Sequence, residues 1–80
     1  MSKQTEIREA LIEIAKAKNL WRTFSEVDSV VSSLMKLEGV ANRDNVKYII
    51  GLTDYGLKEA IDTSNVDYWL RQIIDALNKS

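Results

Sequence analysis

Apolar residues recur along this chain at spacings of three and four. In the first stretch Ile7, Leu11 and Ile14, with the small Ala10 and Ala17, fall on one stripe, while Glu6, Glu9 and Glu13 fall on another face. That is the period of an α-helix and not the alternation of a strand. The pattern predicts a helix from about Gln4 to Lys18, with Lys16 and Lys18 in its last turn, where cations favour the negative end of the helix dipole. A second set, Val27, Val30, Leu34 and Leu37 flanked by Val31 and Met35, predicts a wide buried helix face. Ser25, with Asp28 three residues on, is expected to open that helix as in a capping box, and Gly39 to close it. Two short helices follow at about Asp44 to Ile50 and Asp54 to Asp62, the first closed by Gly51 and the second capped by Thr53. A last helix runs from a Ser64 cap to about Asn78, with Val66, Leu70, Ile73 and Leu77 on one seam and Trp69 and Ile74 beside it. Trp21 and Phe24, in the link between the first two helices, are expected to plug the ends of the core.

With no proline and only three glycines, nothing interrupts this helical reading, and no repeat, linker or low-complexity tract divides the chain. Residues 1–80 are therefore expected to form one all-α domain, a compact bundle of four to five helices. A domain of this size buries only about 60% of the surface its unfolded chain exposes, so the core has little to spare.

Eleven basic and twelve acidic residues give a formal charge of −1. That balance argues against nonspecific attraction to nucleic acid or to an anionic membrane. The absence of cysteine and histidine removes thiolate and imidazole nucleophiles and the usual zinc ligand sets. Serines without a neighbouring base, and glycines that never cluster, give neither a nucleophile nor a phosphate cradle. Glu6, Glu9 and Glu13 lie among Lys3, Arg8 and Lys16 and read as a solvated face, and Asp62 and Asp67 read as helix caps. The expectation is accordingly no enzyme, no cofactor and no metal. The opening residues carry charges within their apolar pattern, and no apolar run approaches the length of a membrane span, so a soluble cytoplasmic protein is expected.

Residues 51 to 61, GLTDYGLKEAI, resemble the turn and second helix of the helix-turn-helix found in many bacterial repressors. Gly51 corresponds to the turn glycine, Thr53 to the cap, and Leu57 and Ile61 to the inward side of the reading helix. The resemblance covers residues 43 to 62 and implies DNA contacts by Arg43, Lys47, Thr53, Tyr55 and Lys58, with the last helix pairing two copies. The chain departs from that pattern at Lys47, where the family has a small residue, and at Gly56, inside the reading helix. Residues 54 to 62 also carry Asp54, Glu59 and Asp62 against a single Lys58, whereas DNA affinity rests on neutralised phosphates. Lys16, Lys18 and Arg22 around Trp21 have the composition of a single-strand grip, but the same residues suit a helix end and a core plug.

The aromatic residues point elsewhere. Tyr68 and Trp69 are adjacent on a helix and diverge by about 100°, so burying both requires a second surface. Tyr55, between Asp54 and Gly56, is expected to be half exposed, and tyrosine and tryptophan are frequent anchors of protein interfaces. The leading expectation is a small non-catalytic protein-binding module, a regulator, inhibitor or assembly subunit that contacts another protein or a second copy of itself. Tyr55, Tyr68 and Trp69 would be its anchors and Lys58 and Arg71 its rim charges. A helix-turn-helix regulator is the alternative.

Overall fold

A computed structural model describes residues 2–79, and among them every regular element is a helix. In chain order these are α1 (Lys3–Ala17), α2 (Phe24–Leu34) continued by a single 3-10 turn (Met35–Leu37), α3 (Arg43–Thr53), α4 (Tyr55–Thr63) and α5 (Asp67–Asn78). The expected all-α bundle is thus what forms. Helix α1 packs on α5, α2 and α4, while α3 packs on α4, α2 and α5. Ile7, Leu11 and Ile14 of α1 meet Val27, Val30 and Leu34 of α2, Val46 and Ile50 of α3, Leu57 of α4, and Leu70, Ile73 and Leu77 of α5 in one buried core. No charged or polar residue is buried with them among the described residues. Nor is any helix there long and apolar enough to cross a membrane.

Several helix ends differ from the sequence expectation, each for a local reason. Thr23, not Ser25, opens α2: its hydroxyl accepts from the Glu26 amide at 3.1 Å, and Glu26 Oε1 accepts from the Thr23 amide at 2.9 Å. Two hydroxyls precede an acid by three residues here, and only the longer glutamate reaches back to close the box. Asp28 instead holds Arg8 of α1 at 2.8 and 3.2 Å. Helix α2 passes into its 3-10 turn, and Gly39 follows the cap Glu38 with φ 82°, the left-handed terminator expected of it.

Gly51 does not close α3, which runs on to Thr53, and Asp54 is the single residue between α3 and α4. Thr53 caps nothing; its hydroxyl turns back to the Ile49 and Ile50 carbonyls at 3.0 and 3.2 Å. The last helix begins at Asp67, after Val66, and Ser64 instead ends α4. Its far end is fastened by Asn78, which accepts from the Ala41 amide at 2.9 Å and donates to the Ala41 carbonyl at 2.8 Å. The Gly39 amide adds a bond to the Leu77 carbonyl at 3.0 Å.

Candidate functional site

The link between α1 and α2 is fixed at both ends. Asn19, at φ 56°, takes the left-handed conformation that ends α1. The Asn19 amide then donates to the Lys16 carbonyl at 3.0 Å and the Leu20 amide to the Ala15 carbonyl at 2.9 Å. This is the Schellman arrangement, which returns the chain over the helix it has just left. Leu20 consequently sits beside Ala15 and Ile12 and is half-buried against the core. At the other end the Thr23 capping box makes Phe24 the first residue of α2 and turns its ring outward. Trp21 and Phe24 therefore do not plug the core; both are exposed, Trp21 to 78%.

Arg22, between those two rings, crosses to α4. Its Nε donates to Asp54 Oδ2 at 2.7 Å and its Nη2 to Asp54 Oδ1 at 3.1 Å, while Nη1 donates to the Trp21 carbonyl at 3.0 Å. Asp54 also caps α4 by accepting from the Leu57 amide at 3.3 Å. The Arg22 hydrogen bond, aided by the Leu57 and Gly56 amides, holds the Asp54 carboxyl below its ordinary range, and the same bond raises the Arg22 guanidinium. Gly56 leaves room for this: a Cβ there would lie 2.6 Å from Arg22 Nη2. Thus the glycine inside α4, unfavourable by helix propensity, is explained by the guanidinium that lies across it.

Two hollows open beside this clamp. One, of about 190 Å³, is lined by Ile12, Lys16, Leu20, Trp21, Arg22 and Phe24. The second, of about 320 Å³, lies among Lys18, Leu20, Tyr55, Gly56, Glu59 and Ala60. Leu20, half-buried, borders both and so links the exposed Phe24 and Trp21 on one side with the exposed Tyr55 on the other, a strip of apolar side chains. At its edges the Arg8 guanidinium stands 5.5 Å from the Phe24 ring centre, and Lys58 Nζ stands 5.7 Å from that of Tyr55.

The anchors expected from sequence fall in two places. Tyr55 and Lys58 lie together on α4, at one end of the strip. Tyr68, Trp69 and Arg71 lie on α5, where Tyr68 is 72% exposed and its ring meets Trp69 edge-on with centres 4.8 Å apart, and Trp69 is half-buried against the core. Tyr68 and Arg71 border a different hollow, of about 250 Å³, with Gln72 and Asp75.

The three cations of the helix-turn-helix resemblance are engaged within the chain. Arg43 pairs with Asp67 at 3.0 Å, and Lys47 and Lys58 both grip Asp62, at 2.7 and 2.8 Å. Those two hydrogen bonds hold the Asp62 carboxyl down at about 2. A helix-turn-helix has a turn of three to four residues, whereas one residue joins α3 and α4. Gly51, expected to make that turn, lies inside α3 and gives space to the Lys58 stem, whose Cδ would be 2.8 Å from an added Cβ.

Sequence reasoning missed Leu20, Trp21 and Phe24 as surface. Two signals for them were present: asparagine directly after the last turn of α1, and Thr23 three residues before Glu26. No family model, curated protein or solved structure matches this chain.

Proposed function

We propose that this chain is a small non-catalytic protein-binding module, acting in the cytoplasm as a regulator, inhibitor or assembly subunit, and that the Phe24–Trp21–Leu20–Tyr55 strip is its contact surface. The observation that carries this reading is the strip itself: three exposed aromatic side chains, Phe24, Trp21 and Tyr55, joined by the half-buried Leu20 on a backbone that is already fixed. Contiguous apolar surface on a small protein marks contact sites, and aromatic side chains with few rotatable bonds anchor them. The Schellman turn, the capping box and the Arg22–Asp54 clamp hold these groups before any partner arrives, which lowers the ordering cost of association.

The cations Arg43, Lys47 and Lys58 are engaged by carboxylates of the same chain, which favours protein over DNA as the partner. Affinity capture at moderate salt, with solution mass measured in parallel, tests the reading. Capture or self-association by the wild type, abolished in Trp21→Ser/Phe24→Ser and retained in Tyr68→Ser, is the expected result. A strict monomer that captures nothing at any salt concentration would sink the proposal.

A further inference from the structure

We draw no further inference here: the strongest candidate, the surface strip of Phe24, Trp21, Leu20 and Tyr55 with its two hollows between the α1–α2 link and α4, belongs to the site already described, and with Lys16, Arg22 and Lys18 balanced by Glu13, Asp54 and Glu59 nothing in the structure shows what covers it.

Discussion

Arg22 and Asp54 meet at the start of α4; Arg43 and Asp67 meet at the start of α5. The first pair is bidentate, its side chains are 21% and 14% exposed, and its aspartate caps a helix. The second makes one contact at 3.0 Å with side chains 54% and 73% exposed, and Asp67 follows a cap, Val66, that makes no side-chain bond. Identical chemistry thus serves as framework in one place and as solvated decoration in the other. The neighbouring aromatics differ in the same way. Trp21 stands beside Ile12, Leu20 and Phe24, with Lys16 and Arg22, on a braced link, whereas Tyr68 stands beside Trp69, Arg71, Gln72 and Asp75 on the outer side of a helix. Exposure is common to both residues; what distinguishes them is the company, two further large apolar side chains, Leu20 and Phe24, beside Trp21 and one half-buried ring beside Tyr68.

The largest expected effect tests the framework. Asp54→Ala removes the α4 cap and leaves the Arg22 guanidinium without its acceptor, and should cost about 2–3 kcal/mol. Asp67→Ala should cost about 0.5 kcal/mol or less. Urea denaturation of the two variants measures both, and equal losses would erase the distinction between the pairs. Next comes binding: Trp21→Ala should weaken capture of a partner roughly thirtyfold, about 2 kcal/mol, while Tyr68→Ala changes it by less than about twofold. Titration of a captured partner decides this, and the reverse order would move the site to α5.

A smaller effect sharpens the account of the clamp. Gly56→Ala should destabilise by about 1 kcal/mol, against the usual gain of alanine in a helix, because its methyl group meets Arg22. In an Arg22→Ala background the same change should become neutral or stabilising, and the double-mutant cycle measures the coupling. The smallest expected effect lies outside both regions, at Asp62. Its folded-state pKa of about 2 lies below the ordinary 3.8, so its contribution to stability is present above 3.8 and is lost as pH falls through 2. Carboxyl ¹³C shifts followed through acid titration should show a midpoint near 2 that rises when Lys47 or Lys58 is replaced by methionine.

Helix type and core were legible because burial on one side of a helix imposes a period that no local chemistry hides. Val27, Val30 and Leu34, or Leu70, Ile73 and Leu77, declare their inward face from spacing alone, and all six are buried. Helix starts were less legible because capping residues compete. Thr23 and Ser25 each precede an acid by three residues; Glu26 is long enough to reach back to the Thr23 amide, while Asp28 is held by Arg8, twenty residues away in the chain. Thr53 and Asp54 are both capping residues, and Asp54 takes the role where Arg22 can reach it.

The candidate surface was hidden by the same kind of long-range decision. Tryptophan and phenylalanine in a short link look like core until the backbone on either side is known. A left-handed Asn19 and an early Thr23 cap together turn Trp21 and Phe24 outward. Tyr55 was legible as exposed from its polar neighbours, but nothing in its own segment indicates that Leu20 lies across the hollow from it.

The unequal depth of the two tryptophans equips the molecule with an intrinsic optical reporter. Trp21, open to solvent, is the indole that iodide or acrylamide should quench readily, while Trp69, half-covered by the core, stays comparatively bright. Any ligand that seats on the link should shield the first and leave the second unchanged, so occupancy is readable in emission without a label.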